Sequence, residues 1–246
     1  MKLRILLSAC ALVVALVPPA SADERPTRVR TFIGVQGLLA AGVHSDVAGR
    51  QTGIGGGPLF AFGYVPSRRV LLHVEGIPVV SAPQRASAFY GQATPALGIF
   101  LGTVRIAVDV RSRYWIGVGT TVINQRTPLP NISQVASSRL AGGRYELFAH
   151  VPTHGGRFVE GLIGVSPRLH GSDHFLYSDG SPAVNKDEAA AEEDISFAFG
   201  LERRNSALLF GVRSLNFSAV FTKTGLAADR NNAAGVTLEL RRYLSP

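Results

Sequence analysis

The stretch TVRIAVDVRSRYWIGVGTT, Thr103–Thr121, decides how this chain folds. In its first half, the apolar residues Val104 and Ile106 alternate with Arg105 and Ala107. A short basic turn follows, and the alternation then resumes. A period of two is typical of a β-strand, because successive side chains of a strand point to opposite faces. Two such runs joined by a short turn predict an antiparallel hairpin.

The same alternation covers most of the chain after Arg25, and helical periodicity is almost absent. We therefore predict an all-β fold of about ten strands, with eight as the alternative. The predicted strands are Arg30–Val43, Gly53–Val65, Arg69–Val80, Leu97–Val110, Tyr114–Gln125, Arg139–Val151, Arg157–Leu169, Asp194–Arg203, Ala207–Phe221 and Ala233–Leu244.

Short and long connections alternate between these strands. The short ones are Pro66-Ser67-Arg68, Arg111-Ser112-Arg113, Pro152–Gly156 and Arg204-Asn205-Ser206. The long ones cover 44–52, 81–96, 126–138, 170–193 and 222–232. This rhythm predicts an antiparallel up-and-down sheet with one trimmed and one elaborated end, as in membrane barrels.

Charge is distributed unevenly between the two kinds of connection. Several short turns are basic, whereas the longest connection is acidic. Its acidic residues are Asp173, Asp179, Asp187, Glu188, Glu192, Glu193 and Asp194. We interpret the stretch Asp187–Asp194 as a solvated loop.

Alternation alone fits both a soluble barrel with an apolar centre and a membrane barrel with a polar centre. Three features favour the membrane barrel: large apolar residues on one face of nearly every strand, glycine and alanine on the other, and strands of ten or more residues. An arginine facing lipid at the bilayer midplane costs about 2–4 kcal/mol. We therefore predict a transmembrane β-barrel with Arg105, Arg144, Arg213 and Arg241 inside. A soluble periplasmic barrel that binds an apolar ligand is the alternative.

The first residues resemble a secretory signal peptide. Lys2 and Arg4 precede the apolar run Ile5–Val17, and Ala20-Ser21-Ala22 fits a cleavage site. We predict a signal peptide at 1–22 and a single barrel domain at 23–246. Cys10 is the one cysteine of the chain, so the mature domain is expected to have no disulfide.

Composition narrows the choice of partners. The chain is 46% hydrophobic and 17% charged, with a formal net charge of +8. A basic protein often binds nucleic acid or anionic lipid. Because export removes the chain from nucleic acid, and because its arginines are scattered over strands and turns, we expect lipid head groups as the partner.

Taken together, the export signal, the alternating strands and the short-turn, long-loop rhythm resemble the small outer-membrane β-barrel proteins of Gram-negative bacteria. The resemblance implies a cell outer-membrane location, a monomeric barrel, and contact with outer-membrane lipids and lipopolysaccharide. It also implies assembly by the barrel assembly machinery, which in this family is aided by a terminal aromatic residue. The nearest such residue here is Tyr243.

Charged residues on the polar face are the candidate functional site. They are His73, Glu75, Arg105, Asp109, Arg144, Glu146, His150, Glu160, Arg168, Glu202, Arg213, Glu239 and Arg241. Two interpretations stay open: ion pairs that fill and stiffen a narrow lumen, or a charged constriction that controls ion passage.

Two pairs of residues on the same face could act in catalysis. The pairs His73 with Glu75 and Glu146 with His150 each have the composition of a general base and its orienting acid. No serine or metal-ligand grouping accompanies them at a telling spacing, so we predict no enzymatic activity, cofactor or metal. We predict a structural or modest pore role with surface interactions. The alternative is a barrel enzyme acting on lipid or peptide.

Overall fold

The computed structural model of the chain describes residues 29–46, 49–83, 96–127, 136–176, 181–221 and 227–244. The predicted signal peptide lies outside the described residues, as do Asp179 and parts of the long connections. Within the described ranges, no helix is long and apolar enough to cross a membrane.

Ten antiparallel strands form one closed barrel in which each strand pairs with the next. The strands are β1 Phe32–Asp46, β2 Gly49–Ser67, β3 Val70–Pro83, β4 Ala96–Ala107, β5 Tyr114–Thr127, β6 Ala136–Pro152, β7 Arg157–Leu176, β8 Pro182–Arg203, β9 Ser206–Phe221 and β10 Ala227–Tyr243. Pairing of β1 with β10 closes the barrel and sets Phe32 opposite Tyr243. The predicted all-β antiparallel barrel is confirmed, with ten strands.

The predicted long connections are partly strand. β7 continues to Leu176 and β8 begins at Pro182, so most of the predicted loop 170–193 is a paired hairpin. In contrast, β4 ends at Ala107 and leaves Val108–Arg113 as a turn. The two errors have opposite causes. The β7–β8 hairpin tip carries polar or small residues on both faces, so its sequence lacks the apolar alternation that indicates a strand. After β4, the alternation continues through Val108 and Val110 although the strand ends at Ala107.

The outer wall of the barrel is apolar, and this is the reverse of a soluble barrel. On β4, Ile106 is 50% exposed, whereas the neighbouring Arg105 is 3% exposed. Eight of the other nine strands also carry exposed large apolar residues, for example Phe60 on β2 and Leu238 on β10, both more than half exposed. On β7 the outward Val159, Ile163 and Val165 are half-buried. The predicted orientation, with apolar residues outward and arginines inward, is therefore the one observed.

Interior side chains change character along the barrel axis. We call the end with the four tight turns the short-turn end, and the opposite end the long-loop end. Buried aromatic residues lie near the short-turn end: Phe32, Trp115, Phe158 and Tyr243. Seven buried aliphatic residues lie towards the long-loop end, whereas Leu71, Leu162 and Leu209 lie nearer the short-turn end. The seven are Leu38, Ile99, Leu101, Ile123, Leu140, Leu169 and Leu215. Most of the charged residues lie between these two layers.

Candidate functional site

Arg144 on β6 is the centre of the buried charges. Its Nε donates to Glu146 Oε1 at 2.6 Å, its Nη1 to Glu192 Oε1 at 2.7 Å and its Nη2 to Asp194 Oδ2 at 2.8 Å. The side chains of Arg144, Glu146 and Asp194 are all 0% exposed. One guanidinium therefore ties its own strand to β8, passing over β7.

Two further arginines extend this group around the lumen. Arg105 on β4 donates to Glu146 Oε2 at 2.7 Å and lies 3.2 Å from His73 Nδ1. Arg213 on β9 donates to both oxygens of Asp194, at 2.9 and 2.7 Å, and forms an ion pair with Glu75 on β3. Three strands, β10, β1 and β2, lie between β9 and β3 on the shorter side of the ring, so this pair crosses the lumen.

These residues form what we call the large network: His73, Glu75, Arg105, Arg144, Glu146, Glu192, Asp194 and Arg213. A small network lies nearer the short-turn end. In it, Arg241 Nη1 and Nη2 each donate to Glu160 at 2.7 Å, and Arg241 Nε donates to Glu239 Oε1 at 2.6 Å. His150 Nδ1 lies 2.9 Å from Glu160 Oε1.

Glycine on neighbouring strands makes room for the arginines. At Gly164 on β7, a methyl group would overlap Arg144 Nη2. At Gly117 on β5, a methyl group would lie 3.1 Å from both Arg105 and Glu146. The glycine-rich polar face is therefore the space that long charged side chains fill.

The Phe32 ring connects the two networks, because its centroid lies 4.5 Å from the Arg241 guanidinium and 6.3 Å from the His73 ring centroid. Within the large network, the Arg105 guanidinium lies 4.6 Å from the Phe148 ring centroid. A cavity of about 60 Å³ lies between the networks, and Gln36 lines it. Gln36 Oε1 is buried, and no residue in the described part of the chain donates a hydrogen bond to it. A water occupies about 30 Å³ in the liquid, so the cavity has room for ordered water.

Four guanidinium groups in the two networks face six carboxylates. Buried ion pairs lose much of their attraction to the cost of desolvation, so their main effect is to fix one arrangement. Removing one partner would leave a buried charge unpaired, which is strongly destabilising. The arrangement therefore places paired charges across the lumen.

Most predicted site residues lie in these networks, but three do not. Asp109 lies in the β4–β5 turn, where it binds Arg113, because β4 ends two residues earlier. Arg168 is exposed, because a β-bulge between Ser166 and Leu169 reverses the alternation of β7. Glu202 lies at the short-turn end and pairs with Arg30 at 2.6 Å.

Glu192 and Asp194 correct the prediction of a solvated acidic loop at Asp187–Asp194, since both are buried on β8 and belong to the large network. The sequence does contain a signal for their inward position, because Glu192 and Asp194 continue the polar face of Ser196 and Ala198 at a spacing of two. Adjacent carboxylates such as Asp187 and Glu188 mask this spacing, because they are typical of a solvated loop.

Catalytic groupings are weak in the lumen. Ser166 Oγ contacts Thr121 Oγ1 at 2.7 Å and Glu192 Oε2 at 2.8 Å, with no histidine hydrogen bond. His150 is held by Glu160, and its Nε2 has no partner among the described residues. No group of three or more His, Cys, Asp or Glu in the described ranges could hold a metal ion.

No protein-family model matches the sequence, and no curated protein matches it. Solved barrel structures do match. The outer membrane protease OmpT from Escherichia coli is 11% identical with a TM-score of 0.51, covering 91% of this chain and 100% of that chain. Neisserial surface protein A is 11% identical with a TM-score of 0.37, covering 86% and 97%. The toluene transporter TodX of P. putida is 9% identical with a TM-score of 0.32, covering 90% and 91%. The chain has the fold of outer-membrane β-barrel proteins.

Proposed function

We propose that this protein is an outer-membrane barrel with a closed lumen, serving as a structural and surface-interacting component rather than as an open channel. The apolar outer wall supports the membrane location, since such a surface is stable in hydrocarbon. Pairing of β1 with β10 leaves no open edge. Backbone groups in a bilayer need internal partners, and a closed barrel supplies them.

The contact that carries the proposal is the ion pair between Arg213 on β9 and Glu75 on β3. It spans the lumen, and Arg144 bridges β6 to β8 beside it. Water-filled barrels have many more strands, whereas narrow ones are filled by side chains. Ten strands with crossing ion pairs therefore favour a filled lumen.

A second barrier lies towards the long-loop end. Ile123, Leu140 and Leu169 are 0% exposed and belong to one apolar cluster. An ion passing this layer would lose its hydration shell without gaining polar partners, which is costly. The aliphatic layer and the networks therefore act in series against ion flow. No catalytic role is proposed for the lumen.

Membrane fractionation and conductance test the proposal together. We expect the protein in outer-membrane fractions, with heat-modifiable migration on a gel. In a planar bilayer, the purified barrel should show no steady conductance. The double variant Arg213→Ala/Glu75→Ala removes the crossing pair without leaving an unpaired charge between them, and should raise transient conductance. Steady channel openings by the unmodified protein would contradict the closed lumen, and release by osmotic shock would contradict the location.

A further inference from the structure

Exposed arginines ring the short-turn end of the barrel. We call them the basic collar: Arg68, Arg69, Arg111, Arg157, Arg203 and Arg204. Two acidic residues at this end are already engaged, since Asp109 binds Arg113 at 3.1 Å and Glu202 binds Arg30 at 2.6 Å. A positive ring of this kind attracts anionic lipid head groups.

An apolar groove of about 540 Å³ lies on the outer wall across β1 to β4. Its floor is Gly76, which is flanked in register by Phe60 on β2 and Phe100 on β4. Phe62 and Val74 line the groove nearer the short-turn end. A glycine between two phenylalanines leaves a trough between their rings.

One side of the basic collar lies next to this groove, in the direction of the short-turn end. Phe62 is five residues from Ser67, where β2 ends at the turn that carries Arg68 and Arg69. Five residues span about 16 Å along a strand, or about 13 Å in height at a tilt of about 40°. Half of the hydrocarbon core is about 15 Å. A lipid with its head group at the turn would therefore pass its acyl chain over the groove.

Hydrogen bonds hold the two turns below the groove together. Ser112 Oγ donates to the Arg68 carbonyl at 2.6 Å, and the Ala107 N–H donates to the Arg69 carbonyl at 3.0 Å. The β2–β3 and β4–β5 turns are thereby fixed side by side. Three exposed arginines, with Arg111 as the third, are presented on this joined surface.

From this geometry we propose that Arg68, Arg69 and Arg111 bind the phosphate of an anionic phospholipid, with one of its acyl chains lying in the groove floored by Gly76. The site faces the leaflet at the short-turn end. It rests on the proposed membrane function, and it explains why the tight turns are basic.

Native mass spectrometry of the barrel from nanodiscs tests the site. The discs hold equal amounts of phosphatidylglycerol and phosphatidylcholine, and heat-modifiable migration verifies folding. We expect phosphatidylglycerol to be retained preferentially. Arg68→Gln/Arg69→Gln should lower that preference by about fivefold per arginine. The control Arg157→Gln/Arg203→Gln also removes two positive charges, but from the opposite side of the collar. It should lower the preference for phosphatidylglycerol by less than half as much.

The groove is tested by filling it. At Gly76 a Cβ would lie 3.5 Å from Phe100, an ordinary contact, so Gly76→Leu should fold and displace the acyl chain. We expect the Gly76→Leu variant to lose the retained phosphatidylglycerol, although all arginines of its basic collar are unchanged. No preference in the unmodified barrel, equal losses in the two arginine pairs, or full retention in Gly76→Leu would overturn the site. Failure to enter the nanodisc would instead contradict the membrane function.

Discussion

Arg144 shows how one residue can determine the arrangement of a lumen. It contacts Glu146, Glu192 and Asp194 while being 1% exposed. Each of the three carboxylates has another partner as well, but the ion pair with Arg144 offsets part of the cost of burying its charge. Because neighbouring carboxylates repel one another in a low dielectric, loss of this guanidinium affects both β6 and β8.

We expect Arg144→Met to lower the free energy of unfolding by about 3–5 kcal/mol, because it removes one cation from three buried carboxylates and leaves Glu192 with the Ser166 hydroxyl in place of an ion pair. Urea unfolding in lipid vesicles measures the change. Arg168→Met on β7 is the matched control, since Arg168 is exposed, and it should change stability by less than about 0.5 kcal/mol. Equal losses in the two variants would contradict the central place given to Arg144.

Gly164 supplies a second test at the same point. Gly164→Ala would drive a methyl group into Arg144 Nη2, and overpacking of this kind costs about 1–3 kcal/mol. At Gly143, a methyl group would meet nothing within 4 Å, so Gly143→Ala should have little effect or stabilise slightly. The same unfolding titration compares them. A neutral Gly164→Ala would show that Arg144 does not occupy that space.

Among the elements, β7 and β8 show what sequence could and could not predict. Alternation predicted the apolar wall of both strands, because lipid-facing positions repeat every second residue. It failed at Arg168, since a β-bulge shifts the phase without a sequence signature of its own. It also missed Glu192 and Asp194, because carboxylates are typical of loops unless their partners are known. Arg144 is such a partner, and it lies 48 residues from Glu192.

The β4–β5 turn makes a prediction about pH. Partial burial raises the pKa of the Asp109 carboxyl, but the N–H groups of Tyr114 and Arg113 and the Arg113 guanidinium outweigh burial, so its pKa lies below the ordinary value. An unfolded Asp titrates near about 3.9. A lowered folded pKa means that Asp109 stabilises the turn above that pH, and that this contribution is lost as pH falls through the folded pKa.

We therefore expect Asp109→Ala to cost about 1–3 kcal/mol of unfolding free energy at neutral pH, as for hydrogen bonds to a charged group. The difference from the unmodified protein should shrink as pH falls below about 4. Unfolding titrations of both proteins across this range give the comparison. A difference that grows on acidification would mean that the pKa shift has the opposite sign.

For the whole molecule, the fold was predictable and the pattern of internal contacts was not. Strand number, antiparallel order and the inward position of the arginines follow from residues that repeat along each strand. The pairing of Arg213 with Glu75 depends on closure of the barrel, which brings together residues 138 positions apart. The basic collar likewise becomes one surface only when four separate turns meet at one end.

The central claim is that apolar side chains face outward into lipid and charged ones face the lumen. Nitroxide labels at Ile106, which is 50% exposed, and at Thr103, which is 4% exposed, test it on one strand. Cys10, the one native cysteine, lies in the predicted signal peptide, so each label is unique. In lipid vesicles, we predict high accessibility of the label at 106 to dissolved oxygen, and low accessibility at 103. A label at 106 shielded from oxygen, with the label at 103 in contact with lipid, would contradict the account.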